Sequence, residues 1–276
     1  MLRKTRVLVG SFLVLVVSAA MGADVQSLRG LTAEQVIEKN VAARGGLQAW
    51  RALQSLTMSG KMEAGGNESP TTRPVQGVRT GGVQLPKRPA QQTQLPFRLE
   101  MKRARKSRLE IDFRGETAIQ VFDGTHGWKL RPFLNRHAVE AFTPDEMKAA
   151  ALQSDLDGPL VDYATKGTQA ELEGIEKVEG KDTYRLKLTF PNGQAQHVWI
   201  DATTFLETKI EGTPRRLDGA YHPVEIFYRD YRTVSGLKVP YLTETKVQGV
   251  NQTEKIEVDE VAVNARVEDS RFAKLQ

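Results

Sequence analysis

The property of this sequence that most constrains its fold is a repeated alternation of apolar and polar residues. The segments "RLEIDFR" (108–114) and "TYRLKLTF" (183–190) alternate with a period of two, which is typical of a β-strand with one buried face. Asp123-Gly124 and Asn192-Gly193 follow or precede such segments and are strong signals of tight hairpins. Strands joined directly by hairpins pair antiparallel, so the pattern predicts about eleven antiparallel strands in meander order.

Two helical segments interrupt the strand pattern. Thr32 and Gln35 fit a capping box at the start of the first segment, which ends in a short second helix at Leu53. Pro144 fits the first position of the second segment, and Gly158-Pro159 divides that segment into a predicted helix pair. With so few helices, the predicted fold class is mainly β (α+β), one strongly curved antiparallel sheet with helices on one side.

The first 23 residues have the three parts of a secretory signal. Arg3, Lys4 and Arg6 precede the uncharged apolar run 7–20, and small residues follow it up to Ala23. The run is shorter than the roughly 20 apolar residues of a transmembrane helix, although an uncleaved anchor is the alternative. We therefore expect residues 1–23 to be removed and residues 24–276 to form a single exported domain.

One segment of the exported chain has neither a strand period nor a helix period. Residues 64–96 are rich in Gly, Pro, Thr and Gln and contain almost no aromatic residue. This composition predicts a long flexible loop between two strands.

Positive charge is concentrated in one part of the chain. Residues 73–108 contain ten Lys or Arg residues and one acidic residue, Glu100. Within them the basic turn 102–108, "KRARKSR", has two interpretations: protection of a strand edge, or contact with anionic lipid headgroups or an acidic protein. An exported chain without an aromatic platform beside its basic patch is not expected to bind nucleic acid. The predicted membrane or partner contacts are Lys102, Arg103, Arg105 and Lys106.

The sequence contains no motif that specifies a catalytic or metal site. Asp155, Asp157 and Asp162 surround the Gly158-Pro159 break, but the further ligands and the terminal Glu of a calcium loop are missing, so we interpret them as helix caps and solvated charges. The four His residues lie in different segments without HExxH spacing, and there is no G-x-S-x-G elbow, P-loop or Cys. We therefore predict no catalytic residue, no metal and no cofactor.

The order of several segments resembles the bacterial lipoprotein-carrier superfamily, the LolA/LolB-like outer-membrane lipoprotein-sorting proteins. The segments are "AARGGLQAWRALQSLTMSGKM", "DGTHGWKLRPF", "DLDGPLVDYATKG", "VSGLKVPY" and "VNARVEDSRFAKL", which together span the mature chain. The resemblance implies an open or half β-barrel in the periplasm of a Gram-negative bacterium, with helices covering a concave apolar face that holds acyl chains. In this family a buried arginine closes the lid. Arg44 ends the first helix here, where we expect a surface charge that complements the helix dipole.

The resemblance makes the apolar strand faces and the helices above them the predicted binding site. Stripes of this kind also fill ordinary protein cores, so a packed interior is the alternative. The predicted lipid-binding residues are Trp50, Leu53, Leu109, Ile111, Phe113, Ile119, Val121, Trp128, Leu152, Leu160, Leu186, Leu188, Ile226 and Tyr228.

The predicted function is that of a periplasmic, monomeric carrier of lipid or lipoprotein acyl chains without enzymatic activity. A lipid-sensing or interaction module of the same fold is the alternative, and a hydrolase without a recognisable motif is the third possibility. Burial of an acyl chain stabilises the complex by about 0.8 kcal/mol per methylene, so release of the ligand needs a moving element. We expect residues 144–165 and the helices of 32–53 to form a lid over the site.

Overall fold

The strands of this chain form one antiparallel sheet that consists of two meanders. The computed structural model describes residues 30–65, 92–132, 135–217 and 219–275. Within these ranges the sheet has 13 strands in the order β6-β5-β4-β3-β2-β1-β13-β12-β11-β10-β9-β8-β7. The first meander comprises β1 Ser55–Gly65, β2 Gln92–Lys102, β3 Lys106–Phe113, β4 Glu116–Phe122, β5 Gly127–Arg131 and β6 Arg136–Ala141. The second comprises β7 Gln169–Val178, β8 Lys181–Thr189, β9 Ala195–Asp201, β10 Glu207–Leu217, β11 Ala220–Val234, β12 Leu237–Val247 and β13 Glu254–Val263.

The predicted fold class is confirmed, whereas the predicted strand number and order are corrected. The sheet is an open half-barrel with β6 and β7 as its two edges. It is not a single meander, because β1 pairs with β13 and thereby joins the two meanders at their first and last strands. Strand β6 escaped the sequence analysis because none of its residues is buried, so it carries no apolar stripe.

The N-terminal helices are positioned as the sequence predicts. Helix α1 (Ala33–Ala43) begins with the predicted capping box, in which Thr32 and Gln35 exchange hydrogen bonds, and α2 (Leu47–Ala52) follows. The turn between them lies against the β11–β12 hairpin, since a Cβ atom on Gly45 would be 2.3 Å from the carbonyl oxygen of Gly236. Only glycine fits this close approach, and it fixes both helices at one end of the sheet.

The second helical segment contains one helix and not a pair. Helix α3 (Pro144–Gln153) begins with a capping box between Thr143 and Glu146. The predicted second helix is wrong, because residues 156–167 form consecutive turns. Gly158 and Asp162 adopt positive φ angles of 71° and 52°, which no right-handed helix accommodates. No residue of α3 is buried, so this helix is attached to the sheet without an apolar face of its own.

The predicted loop is shorter than expected and part of it lies outside the described residues. Strand β1 continues to Gly65 and β2 begins at Gln92, and these two residues are paired. The prediction of a loop over 64–96 is therefore wrong at both ends, and residues 66–91 lie outside the described ranges. The predicted signal, residues 1–23, also lies outside them.

The two faces of the sheet differ in chemistry. Leu56, Met101 and Val263 are cross-strand partners on one face, and Ser107 of the same face bonds to Ser154 after α3. We call this helix-covered side the inner face. The opposite, outer face carries mostly polar residues and two small apolar clusters. One cluster contains Val121, Val267 and Phe272 with Ile119, Trp128 and Leu275, and the other contains Val178, Trp199 and Phe227.

The C-terminal segment closes the first outer cluster through a 3-10 helix, Asp269–Phe272. Phe272 is 1% exposed. We expect Phe272→Ala to reduce the free energy of unfolding by about 3–5 kcal/mol, because it leaves a cavity on the outer face. Arg266→Ala is the control, since its side chain is 90% exposed and its removal should change stability by less than about 0.5 kcal/mol. Urea unfolding of both variants tests this, and equal midpoints would contradict the assigned packing.

Candidate functional site

The inner face is largely apolar but unevenly covered. On β8 and β9 its residues Tyr184, Leu186, Val198 and Ile200 are fully buried. In the centre of the sheet Leu95, Phe97 and Val258 are also buried, but many other inner residues there are only half-buried. These half-buried residues are Met58, Met62, Leu99, Leu109, Ile111, Phe113, Tyr241, Ile256 and Val261. The helices therefore fill one part of the half-barrel and leave apolar surface accessible in the other part.

A cavity of about 930 Å³ lies at the end of the sheet opposite α1 and α2. Its wall is formed by the β8–β9 and β12–β13 turns, by strands β10 and β11, including Val224, and by the end of β12, including Val247. Leu152 of α3 contributes to the same wall. Leu152 and Tyr221, which are 44% and 68% exposed, are the large apolar side chains on the surface of the described residues, and both line this cavity.

Three of the predicted binding residues lie on the wrong face for the proposed site. Phe113 pairs with Glu116 across the β3–β4 turn, so the even-numbered residues of β4 face inward. Ile119, Val121 and Trp128 consequently point to the outer face, where they pack against the C-terminal segment. The sequence analysis erred because two apolar stripes of adjacent strands look alike, although the register of the turn assigns them to opposite faces.

The other predicted residues lie on the inner face or beneath the helices. Leu109, Ile111, Phe113, Leu186, Leu188, Ile226 and Tyr228 share the inner face. Trp50, Leu53 and Leu160 are buried in the helical layer, and Leu152 lines the cavity. Among these residues, Tyr228 has a hydroxyl group whose pKa is shifted by its surroundings. Burial and the nearby Glu207 carboxylate raise its pKa to about 12, against the opposing effect of Arg44.

Arg103 connects three parts of the molecule and is not a surface contact. Its guanidinium donates to both carboxylate oxygens of Asp157 at 3.0 and 2.6 Å, and to the backbone carbonyls of Trp50 and Leu53. The β2–β3 turn, α2 and the turn segment 155–167 are thereby clamped together. Arg103 thus has an internal role that the sequence conceals, because most of its neighbours in the run are also basic.

Arg44 is also buried, which corrects its predicted role as a surface charge at a helix end. Its side chain is 12% exposed and lies 3.0 Å from a Glu207 carboxylate oxygen. It stacks over the Trp50 ring at 4.2 Å and donates to the backbone carbonyl of Asp157 at 3.4 Å. Both arginines therefore meet at Asp157, one through its backbone and one through its side chain.

The remaining charges of the basic turn are largely engaged within the molecule. Lys102 donates to the carbonyl of Val267 at 2.8 Å, and Lys102 and Lys106 each lie 3.1 Å from the Asp269 carboxylate. Arg105 is exposed. Of the four predicted partner contacts, three thus hold the turn, the helices and the C-terminal segment in place.

The acidic residues around Gly158-Pro159 form ion pairs rather than the predicted helix caps. Asp162 accepts two hydrogen bonds from Arg51, and the pKa of Asp162 is lowered chiefly by these bonds. Asp155 lies 2.7 Å from Lys166. In the described part of the chain no three His, Asp or Glu side chains are placed to hold a metal ion.

Helix α3 is held by polar contacts near its two ends. Glu146 accepts a hydrogen bond from Lys129 of β5, and Ser154 bonds to Ser107 of β3 at 2.7 Å. Burial disfavours ionisation of Glu146, but the bonds from Lys129 and the Thr143 backbone N–H outweigh it and lower the pKa of this carboxyl. The arrangement gives α3 specific attachment points without burying an apolar face.

No family model matches this chain, and no curated protein matches it either. Several solved structures are similar to this chain. A LolA superfamily protein from Nitrosomonas europaea has 14% identity and a TM-score of 0.53, over 89% of this chain and 99% of that one. A protein domain from Vibrio parahaemolyticus named for outer-membrane lipoprotein sorting has 12% identity and a TM-score of 0.54, over 88% and 96%. A DUF1329 family protein from Desulfovibrio piger has 14% identity and a TM-score of 0.54, over 87% and 97%.

These similarities define the class of fold. The chain has the LolA-like half-barrel fold, which confirms the resemblance at the level of architecture. None of the helices in the described ranges has the length and hydrophobicity that a membrane span requires.

The clamp at Arg103 leads to a stability prediction. Arg103→Gln leaves Asp157, whose side chain is 6% exposed, with Lys166 at 3.9 Å as its remaining ion-pair partner. We expect a loss of about 3 kcal/mol in the free energy of unfolding, because a buried carboxylate that loses its two-point partner is costly. Arg105→Gln in the same turn is the matched control and should cost less than about 0.5 kcal/mol. Urea unfolding at neutral pH measures both, and an equal effect of the two substitutions would show that the clamp is unimportant.

Proposed function

We propose that this chain is an exported periplasmic carrier that holds acyl chains of a lipid or lipoprotein on the inner face of its half-barrel. Its role is outer-membrane lipoprotein or lipid sorting, without catalysis. The observations that support the proposal are the half-buried apolar residues of the inner face and a cavity of about 930 Å³, to whose wall the inner-face residues Val224 and Val247 contribute. Pockets for small molecules have volumes of roughly 300–1,000 Å³. The wall of this cavity combines apolar residues such as Val224 and Val250 with the charged residues Glu211, Glu225 and Lys246.

The electrostatics of the inner face favour an apolar ligand. Arg44 and Glu207 neutralise each other at one end of the sheet, and Lys129 is paired with Glu146 under α3. An acyl chain in this space therefore meets apolar side chains and compensated charges. Its burial contributes about 0.8 kcal/mol per methylene before the costs of binding.

The structural neighbours point to the same class of activity. One of them carries a name that refers to outer-membrane lipoprotein sorting, and its likeness covers 88% of this chain. The sensor alternative relied on the basic turn as a partner surface. Since Lys102 and Lys106 contact Asp269 within the molecule, the carrier is the better supported of the two.

We infer that α3 is the moving part of the lid, whereas α1, α2 and the 155–167 turns are static. Arg103 and Arg44 fix the static elements to one another through Asp157. Helix α3 buries none of its residues, and Leu152 extends from it into the cavity wall. Displacement of α3 breaks few contacts and widens the cavity, which is the behaviour a carrier needs for loading and release.

Ligand content is the direct test of the proposed function. The protein is produced in its own host and purified from the periplasm. It is then examined by native mass spectrometry with lipid extraction. We expect a stoichiometric acylated ligand. Ile111→Gln, which places an amide on the inner face, should reduce its occupancy at least about tenfold, because an unpaired amide is costly to bury.

Lys61→Gln is the control for this test, because Lys61 is exposed and lies on the outer face of β1. It should leave ligand occupancy unchanged. A protein of unmodified mass that also takes up no fluorescent fatty acid would refute the carrier function.

The lid is tested by locking α3 to the sheet. The chain has no Cys, so the pair Ser107→Cys and Ser154→Cys forms the one possible disulfide, at a site where the two hydroxyl oxygens are 2.7 Å apart. We expect the oxidised variant to load fatty acid at least about tenfold more slowly than the reduced one, because α3 can no longer move aside. Stopped-flow fluorescence measures both states. Equal loading rates would show that loading does not require the C-terminal end of α3 to leave the sheet.

A further inference from the structure

An arginine stands at the open end of the cavity, opposite the helices. Arg215 lies in β10 near the turn to β11, and the two residues before it, Thr213 and Pro214, line the cavity. Its partner Glu254 begins β13, directly after Thr253 of the same wall. The pair therefore belongs to the margin of the cavity.

The position of this pair requires it to span the half-barrel. The Arg215 guanidinium donates to both carboxylate oxygens of Glu254, with an Nη2–Oε2 distance of 2.6 Å. Strands β11 and β12 lie between β10 and β13, so three strand spacings, about 14 Å along the sheet, separate the two backbones. Side chains bridge such a separation only on the side toward which the sheet curls. Arg215 and Glu254 thus meet across the open end.

The rim of the cavity carries two exposed side chains with large apolar groups. Tyr221, which pairs with Arg216 and therefore lies on the face opposite Arg215, is 68% exposed, and Leu152 of α3 is 44% exposed. Both side chains line the cavity. Tyrosine is favoured where an apolar interior meets water, because its ring is apolar and its hydroxyl is polar.

The Arg215–Glu254 pair differs from the clamps at the other end in its exposure. The side chains of Arg215 and Glu254 are 39% and 28% exposed, whereas those of Arg44 and Glu207 are 12% and 8% exposed. A half-exposed carboxylate returns to water at a small desolvation cost, so it exchanges for another anion more readily than a buried one. The planar fork of arginine binds carboxylate and phosphate in the same two-point geometry.

From this placement we propose that Arg215 binds the anionic headgroup, a carboxylate or a phosphate, of the acyl ligand, and that Glu254 is the carboxylate it exchanges. The proposal rests on the proposed carrier function. The acyl chain lies along the apolar residues of the cavity wall, and the headgroup lies at the margin, on Arg215. Glu254 competes with the headgroup for the same guanidinium and thereby limits the affinity for anionic ligands.

If the headgroup replaces Glu254 on Arg215, substitutions of Glu254 and Arg215 should change the affinity for anionic ligands in opposite directions. The probes are palmitate, palmitoyl lysophosphatidate and monopalmitoylglycerol, which share one acyl chain and carry a carboxylate, a phosphate and no charge. Glu254→Gln should bind the anionic probes about tenfold more tightly, since the competing charge is removed. Arg215→Gln should bind them about tenfold more weakly. Both variants should bind monopalmitoylglycerol within about twofold of the unmodified protein.

Arg216→Gln is the matched control, since Arg216 is exposed in the same hairpin and is the cross-strand partner of Tyr221. It should change none of the three affinities by more than about twofold. Titrations at pH 8, restricted to variants whose thermal unfolding confirms a folded state, give the dissociation constants. A larger shift for palmitate or for lysophosphatidate identifies the headgroup, and either supports the proposal.

Two results would overturn the headgroup site. If both substitutions lower the affinity for all three probes to the same extent, the Arg215–Glu254 pair only connects the strands structurally. If neither changes any affinity, Arg215 does not contact the ligand. Acyl binding persists in both cases, so the carrier function stands. Failure of the unmodified protein to bind any of the three probes removes the carrier function and the headgroup site together.

Discussion

The pairing of β1 with β13 is the interaction on which the rest of the molecule depends. It joins the beginning and the end of the folded chain in the middle of the sheet, so the two meanders extend from it in opposite directions. The register shifts between Ser59 and Gly60, where a Cβ atom on Gly60 would be 2.0 Å from the carbonyl oxygen of Glu257. A glycine at this irregularity lets the two backbones approach closely and bends the sheet at its centre. Asn264, just after β13, accepts a hydrogen bond from the backbone of Gln54 and ties the last strand to the helices before the first.

The uneven cover of the inner face follows from this arrangement. Helices α1 and α2 are connected directly to β1, and the close contact of Gly45 with Gly236 holds them at one end of the sheet. The inner residues of β8 and β9 are fully buried, whereas many inner residues of the central strands are half-buried. Helix α3 is held to β5 and β3 by Lys129 and Ser107 and buries none of its own residues. The half-barrel thus combines a rigid, filled end with an accessible apolar region under a loosely attached helix.

The ion pairs of the inner side change in character from one end to the other. Arg44 and Arg103 are fixed by several partners each, and Asp157 is common to both. Removing a partner from such a buried pair leaves an uncompensated charge, so these clamps hold the helices permanently. The pair at the open end is half-exposed and has the geometry of anion recognition. Static support therefore lies at one end of the sheet, and the proposed reversible binding lies at the other.

The sequence by itself determined the local structure. The alternation in "RLEIDFR", the hairpin signals and the capping residues Thr32 and Thr143 depend on neighbours within a few positions, so the strands, the turns and the helix starts could be predicted. Only the tertiary structure decided which stripes share a face. Ile119 and Val121 have the pattern of the inner residues, but the register of the β3–β4 turn directs them outward. Arg44 and Arg103 look like surface charges in the sequence, because Glu207 and Asp157, which compensate them, are distant in the chain. Burial of a charge depends on partners that only the folded chain brings together, and periodicity carries no information about them.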